Sequence, residues 1–282
     1  MSLFDDLAGP AREALDRFLA DPSRALVATD FDGTISPLVD DPEAAGADPR
    51  AVAGLAALAE AGAHVAIITG RPVHTAVRLG RFGEHPALKR LVVLGQYGVE
   101  RWDAATGQFD LPEDPPAVRE FAVKLPQLLA DAGWPDLHVE DKGRAVGVHT
   151  RRASDPAAAM EAIRGPVAEL AELLGLRLEP GHNILEVRAR GVDKGDALRA
   201  LVAENAAETV VFCGDDLGDL PAFEAVRSLR SAETGGEPGV AGFSVAVAAD
   251  ADHPVVEKAD LVVPDVPAVA DLFTALAAKV SE

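Results

Sequence analysis

"RALVATDFDGTISP", residues 24–37, runs four apolar residues, Ala25-Leu26-Val27-Ala28, almost directly into two carboxylates, Asp30 and Asp32. An apolar run without polar alternation reads as a strand covered on both faces, the pattern of a parallel sheet between helical layers. Sheets of that kind bind ligands beyond the carboxyl ends of their strands. Two acids at such an end repel one another, and that cost calls for a cation.

The same pattern recurs along the chain. "AHVAIITG" (63–70), "KRLVVLGQYG" (89–98), "TVVFCGDD" (209–216), "SVAVAA" (244–249) and "ADLVVPD" (259–265) all read as short buried strands. An Ala/Leu helix spans about 49–61, and a further helix closes the sequence. Between Asp103 and Arg190 the rhythm changes. After a strand or turn, a helix near 115–132 precedes the strands "LHVEDK" and "RAVGVHTR"; a second helix near 155–174 precedes "LRLEP" and "NILEVR". Helix-strand-strand repeated twice predicts an antiparallel sheet with two helices on one face. The expected fold is therefore α/β: a doubly wound, Rossmann-like parallel core of residues 1–104 and 190–282, interrupted by an α+β insert at 105–189. "SAETGGEPGVAG" (231–242) reads as a loop.

Composition narrows the partners. With 46 acidic against 26 basic residues, the net charge of −20 argues against nucleic acid or an anionic membrane surface as the main partner. A single cysteine, Cys213, rules out an internal disulfide and suits a reducing cytoplasm. The N-terminal stretch lacks the basic start and apolar centre of a signal peptide and reads as an amphipathic helix. No apolar run approaches the roughly 20 residues that cross a bilayer. The expectation is a cytoplasmic monomer acting on a small molecule.

The strand ends say what kind. The first ends in Asp30-Phe31-Asp32-Gly33-Thr34, the second in Thr69-Gly70-Arg71-Pro72, and a late one in Gly214-Asp215-Asp216, with Asp219 following. Each alone is ordinary turn chemistry, since Asp caps and Gly supplies positive φ. Together they are not, because independent turns have no reason to gather acid at two strands of one sheet. Mg²⁺ resolves the repulsion: it takes oxygen ligands, commonly one or two carboxylates plus substrate phosphate. Asp30 and Asp215 are the expected side-chain ligands and the Asp32 carbonyl a third. Asp216 and Asp219 would ligate directly or hold metal-bound waters. In "GVDKGDALRALV", Asp193 caps a helix whose first turn carries Lys194. A cation there opposes the helix dipole, which makes sense if it faces an anion.

In this order, "DFDGT", "ITGR", "DKG" and "GDDLGD" resemble the four motifs of the haloacid dehalogenase-like phosphohydrolases. An insert between the second and third resembles their larger, C2-type cap, typical of phosphatases acting on small sugar phosphates. "LGQYGVERW", "VEDKGRAVGVHTR" and "EPGHNILEVRARGVDKGDAL" are in turn similar to the trehalose 6-phosphate phosphatases. The match takes in Glu140, Lys142, Gly143, His149, Arg151, Gly181 and Glu186; Tyr97 stands where His is usual and His182 where Lys is usual.

The resemblance implies an Mg²⁺-dependent phosphatase of trehalose 6-phosphate. Related phosphatases of sucrose phosphate or a glycosyl-phosphoglycerate are the alternative, and a phosphosugar mutase or a sensor on the same fold stands further off. Asp30 would attack phosphorus, forming an aspartyl-phosphate. Asp32 would protonate the departing sugar oxygen and then activate water. Lys194 and Thr69 would bind phosphoryl oxygens. Substrate contacts would come from Gly70, Arg71, Glu140, Lys142, His149, Arg151, His182, Asn183 and Glu186, because sugar hydroxyls want paired donors and acceptors.

Overall fold

The computed structural model describes residues 3–280 apart from 40, 114, 182, 190 and 232–238. The chain divides into two compact units, Met1–Leu111 with Val192–Glu282, and Pro112–Gly191.

The larger unit is built on an eight-stranded sheet. Six strands are parallel: β1 (Ala25–Thr29), β2 (His64–Ile68), β3 (Val92–Gly95), β10 (Thr209–Gly214), β11 (Ala241–Val247) and β12 (Leu261–Val263). Two antiparallel strands, β4 (Glu100–Asp103) and β5 (Gln108–Asp110), extend one edge, giving the order β12-β11-β10-β1-β2-β3-β4-β5. This hairpin moves the boundary of the insert from the expected 104/105 to 111/112, because its backbone pairs with β3 rather than with the insert. The chain returns to the larger unit at Val192 rather than at 190.

Burial explains the apolar runs. In β1, Ala25 and Val27 face one core while Leu26 and Ala28 face another; in β10, Val211 and Cys213 share the first core and Val210 and Phe212 the second. Successive side chains of a strand point to opposite faces, so a strand buried on both sides has no polar position left. Helices α1 (Gly9–Ala20), α2 (Pro49–Glu60) and α8 (Val266–Val280) cover the first face through residues such as Phe18, Leu55 and Phe273. The opposite face is covered by α6 (Lys194–Glu204) and α7 (Leu220–Ser231), through Leu198, Leu201 and Phe223. A short helix, α3 (Val73–Gly80), follows β2.

The smaller unit is a four-stranded antiparallel sheet in the order β6-β7-β9-β8: β6 (His138–Asp141), β7 (Ala145–His149), β8 (Leu176–Gly181) and β9 (Ile184–Ala189). Helices α4 (Pro116–Asp131) and α5 (Pro156–Leu173) pack on one of its faces, where Val146, Val148, Leu185 and Val187 meet Phe121, Leu125 and Ile163. The alternate positions, His138, Glu140, Gly147, His149, Glu179, Glu186 and Arg188, form the other face. A sheet with one apolar and one polar face is the antiparallel counterpart of the core's doubly buried strands. The loop expected at 231–242 falls largely on residues 232–238, outside those described, and its last residues, Ala241 and Gly242, already belong to β11.

Candidate active site

The parallel register brings the carboxyl ends of β1, β2 and β10 side by side, with Thr29 opposite Cys213 on one side and Ile67 on the other. Just past those ends, the Asp30 N–H donates to the Cys213 carbonyl (2.9 Å), so the first acid is fixed by sheet bonding before its side chain does anything. The turn that follows closes on itself: Ile35 and Ser36 N–H both donate to the Phe31 carbonyl, and Gly33 N–H to that of Ser36. Gly33 has φ +75°, and a Cβ there would lie 2.0 Å from an Asp215 carboxylate oxygen, so only glycine lets β1's turn and β10's acid approach this closely.

One buried cation ties the acids together. Lys194, the first residue of α6, is 3 % exposed and reaches Asp30 Oδ1 at 2.8 Å and Asp219 Oδ1 at 2.7 Å. Asp193 caps this helix, accepting from Gly195 and Asp196 N–H, which leaves Lys194 pointing inward. The other Asp219 oxygen accepts the N–H groups of Asp215 (2.9 Å) and Asp216 (3.1 Å). Asp219 is thus saturated by a lysine and two backbone donors. Asp215 receives the Thr34 hydroxyl at 3.1 Å. Asp216 stays exposed and caps the turn after β10 at Gly218 N–H.

One oxygen each from Asp30, Asp215 and Asp219 lies within 4.8 Å of the others. The electrostatics show the cost. Burial raises the Asp30 carboxyl well above its ordinary range; Lys194 opposes this, and Asp219, Asp215 and Asp216 add to it. Asp215 is pushed up to about 8, by burial first and then by Asp219 and Asp216. Asp219 is also raised, burial outweighing Lys194. On Lys194 burial acts downward, but Asp219 and Asp30 overcome it and raise the ammonium's pKa. Three buried carboxylates against a single ammonium leave excess negative charge, which a hard divalent cation on Asp30 and Asp215 would neutralise. The donor set fits such an ion.

Asp32 has a different partner from Asp30. Its two oxygens take Arg71 Nε (2.6 Å) and Nη2 (2.5 Å), a bidentate pair. Arg71 also donates to the Pro42 carbonyl and sits 5.6 Å above the Phe31 ring. The two carboxylates at the strand end therefore escape one another by taking separate cations, a division the sequence motifs do not announce. Thr69, buried at the end of β2, accepts the Arg71 N–H on its hydroxyl (3.1 Å). Gly70 lies against the Tyr97 ring.

The insert gathers a second polar cluster on its own sheet. Lys142 Nζ is 2.5 Å from Glu186 and 3.8 Å from Glu140, and His149 Nε2 is 3.0 Å from Glu140. The His149 hydrogen bond lowers the Glu140 pKa, with Lys142 assisting against burial. Gly147, between Glu140 on β6 and Glu186 on β9, leaves a recess: a Cβ there would lie 3.2 Å from Ile184, 3.4 Å from His149 and 3.7 Å from Glu140. Arg151 is in the exposed turn after β7, and Asn183, at φ 59°, turns β8 into β9 while its carbonyl accepts Thr150 N–H. Among the described residues, neither joins the ion pairs of Glu140, Lys142 and Glu186. His182 lies outside the described residues.

Sequence reading missed three members of these clusters. Thr34 stood in the quoted "DFDGT", but its bond to Asp215 spans 181 positions. Arg188 and Glu179, 2.6 Å apart on the polar sheet face, are legible only once β8 and β9 are in register.

Comparison with known proteins places the fold and motifs together. Over 204 residues the chain is 28 % identical to the trehalose-6-phosphate phosphatase of Escherichia coli, covering 71 % of this chain and 73 % of that protein. It is 33 % identical over 220 residues to the trehalose-phosphate phosphatase of Mycobacterium marinum, where the match takes 72 % of this chain but only about half, 52 %, of the relative. The solved C-terminal domain of the C. albicans trehalose-6-phosphate phosphatase superposes with a TM-score of 0.76, covering 96 % of this chain and 99 % of that one at 22 % identity, and so shares the fold. The model of the trehalose-phosphatase family matches residues 28–259, from the first strand of the acid cluster past the last. The chain belongs to the trehalose-phosphatase family.

Proposed function

We propose that the protein hydrolyses trehalose 6-phosphate to trehalose and phosphate through an aspartyl-phosphate on Asp30, with Mg²⁺ as cofactor. The observation that carries this reading is the buried Asp30, held at 2.8 Å by Lys194 beside Asp215, in a chain of this family. Asp30 and Asp215 would hold the ion through their side chains and Asp32 through its carbonyl. When bound, Mg²⁺ supplies charge stabilisation to the phosphoryl oxygens.

A carboxylate oxygen of Asp30 attacks phosphorus, and the bond from phosphorus to the sugar oxygen breaks. Asp32, released from Arg71 and carrying a proton, gives that proton to the sugar oxygen, releasing trehalose. Asp32, now a carboxylate, takes a proton from water as the water oxygen attacks phosphorus. The bond between phosphorus and Asp30 then breaks, freeing phosphate and restoring Asp30. Lys194 opposes the burial that raises the Asp30 carboxyl and, with the Thr69 hydroxyl, steadies the phosphoryl oxygens. Asp219 anchors Lys194 from behind. Asp216, expected to ligate directly or to hold metal-bound waters, caps its turn at Gly218 and in this reading shapes the loop that carries Asp215.

On the insert, Glu140, Lys142, His149 and Glu186 supply the alternating donors and acceptors that sugar hydroxyls need. Burial of Glu186 with an ammonium partner at 2.5 Å suits a site whose polar groups must be paired in the absence of sugar. Arg151 and Asn183, at the turn end of the sheet, extend this set, and His182 is proposed with them from its place in the sequence. Among the described residues no helix is long and apolar enough to cross a membrane, and the reading takes the enzyme as a cytoplasmic monomer.

The test is phosphate release from a panel of trehalose 6-phosphate, sucrose 6-phosphate, a glycosyl-phosphoglycerate and glucose 6-phosphate, with Mg²⁺ present. The highest kcat/KM is expected on trehalose 6-phosphate. Strong turnover of another ester beside weak turnover of this one would overturn the substrate, and no turnover of any would overturn the reaction.

A further inference from the structure

Two adjacent residues outside the acid cluster hold a backbone conformation that side chains disfavour. Gln96 has φ 48° and Tyr97 φ 64°, both left-handed. They follow β3, on the same edge of the sheet as the acids. Strain of this kind persists only where surrounding bonds over-determine it, and it concentrates at working sites.

Here the bonds all land on one loop. Gln96 N–H donates to the Arg71 carbonyl and Tyr97 N–H to the Thr69 carbonyl, each at 2.9 Å. In return, Thr69 N–H donates to the Leu94 carbonyl at 2.9 Å. Glu100 Oε2 accepts the Val73 N–H at 2.6 Å, at the start of α3. The residue before that helix is Pro72, whose side chain offers no cap. The carboxylate from β4 replaces it, and a negative group at a helix N-terminus is favourable. The Tyr97 ring lies over Gly70, its hydroxyl 3.0 Å from where a Cβ would stand. A six-residue turn thus grips residues 69–73 from end to end.

That grip matters because of what the loop carries. The Thr69 hydroxyl already accepts the Arg71 N–H, so its own hydrogen is left to donate elsewhere, and its direction follows the loop. The Arg71 side chain holds Asp32. We propose that the Gly95–Glu100 turn is the positioning element of the Thr69–Val73 loop, with Glu100 the positioning residue that aims the Thr69 hydroxyl at a bound phosphate. The inference rests on the phosphatase reading for the identity of that anion. The left-handed pair at 96 and 97 turns two successive N–H groups onto the loop, and Glu100 fixes its far end.

The experiment measures the affinity of the full chain with Mg²⁺ for inorganic phosphate by titration calorimetry, in the parent, Glu100→Ala, Glu100→Asp and Glu100→Gln. Losing the cap should weaken phosphate binding about tenfold in Glu100→Ala, and similarly in Glu100→Asp, whose shorter side chain falls short of Val73. Glu100→Gln keeps an accepting oxygen and should recover affinity to within about threefold of the parent. Unchanged affinity in Glu100→Ala or no recovery in Glu100→Gln would each overturn the proposal. Should Glu100→Ala fail to fold by circular dichroism, the Asp and Gln variants decide it between them. A parent that binds phosphate yet turns over no sugar phosphate breaks the functional reading and leaves this one intact; a parent that binds no phosphate breaks both.

Discussion

The acid cluster of the core and the polar sheet face of the insert use the same side chains, carboxylates around a lysine, to opposite ends. In the core, Lys194 is shared by two buried carboxylates, and Asp219 is further locked by two backbone N–H groups. In the insert, Lys142 lies between a buried Glu186 and a half-exposed Glu140 on the polar sheet face, around the recess left by Gly147. The core cluster carries excess negative charge and raised carboxyl pKa values, whereas Glu140 is lowered by its partners. In the proposed function, a site short of positive charge takes a cation and an anionic reacting group, and a site of balanced pairs exchanges those pairs for neutral hydroxyls. Chemistry and selection are, in that reading, separated between the two units.

The largest effect that tests this division is in the core. Asp30→Asn removes the proposed nucleophile and one carboxylate of the proposed cation site, and kcat should fall by at least about 10⁴-fold on every phosphate ester alike. Chelation by EDTA should silence the parent equally, with Mg²⁺ restoring it. Full activity after exhaustive chelation would remove the metal from the account. A loss confined to sugar esters would mean the division is drawn in the wrong place.

Asp219→Asn is next. With one accepting oxygen in place of two, it either drops Lys194 or releases the N–H groups of the turn bearing Asp215. Breaking a buried pair on one side costs about 3–5 kcal/mol. The melting temperature should drop sharply, and kcat should fall about 10²-fold as Lys194 loses its aim. A variant of unchanged stability would show that Asp219 is no anchor.

The core was far more legible than the insert, for a reason that lies in topology. Asp30 and Asp32, Thr69 and Arg71, and Asp215 and Asp219 each sit within a few residues of a strand end, and a parallel sheet collects strand ends automatically. Local spacing was enough to place them at one rim. What spacing could not say is how the charges pair. Arg71 reads as a substrate ligand, and its guanidinium is paired with Asp32; Asp219 reads as a direct metal ligand or a holder of metal-bound water, and one of its oxygens takes Lys194. In the insert, the helix-strand-strand pattern was plain, because apolar residues alternate along β7 and β9. Which polar residues meet depends on register: Glu140 opposite Gly147, Gly147 opposite Glu186, and Glu186 opposite Glu179. The last is a like-charge pair, tolerable because Lys142 answers one glutamate and Arg188 the other. Register is set by the whole sheet, so no short motif shows it.

Lys142→Met and Glu186→Gln sharpen the comparison from the insert's side. Each should lower kcat/KM on trehalose 6-phosphate about 30- to 100-fold, as expected when a hydroxyl loses its partner in a site built to bond it. Turnover of p-nitrophenyl phosphate, which offers no sugar, should stay within about twofold of the parent. Equal losses on both esters would place these residues in the chemistry and erase the separation.

The smallest effect is also the most specific to the core's charge excess. With Asp215 pushed up to about 8 in the folded protein and an unfolded aspartate near 4, the metal-free folded state holds a proton that the unfolded chain releases across that interval. Its stabilising contribution is complete below about pH 4 and is lost as pH rises through about 8, so metal-free stability should decline with rising pH. Mg²⁺ requires the ionised carboxylates, so the gain in melting temperature on adding it should widen over the same interval. Thermal melts in EDTA and in Mg²⁺, taken from about pH 5 to about pH 8, measure both slopes. Asp215→Asn should reduce both slopes, leaving what the raised Asp30 and Asp219 carboxyls contribute, since its amide neither titrates nor binds the ion as a carboxylate does. The insert supplies the control: Glu140 is held low by His149 and Lys142 rather than raised, so Glu140→Gln should leave the divergence between EDTA and Mg²⁺ in place. If it vanished with Glu140 instead of Asp215, the excess charge would belong to the sheet face and not to the strand ends.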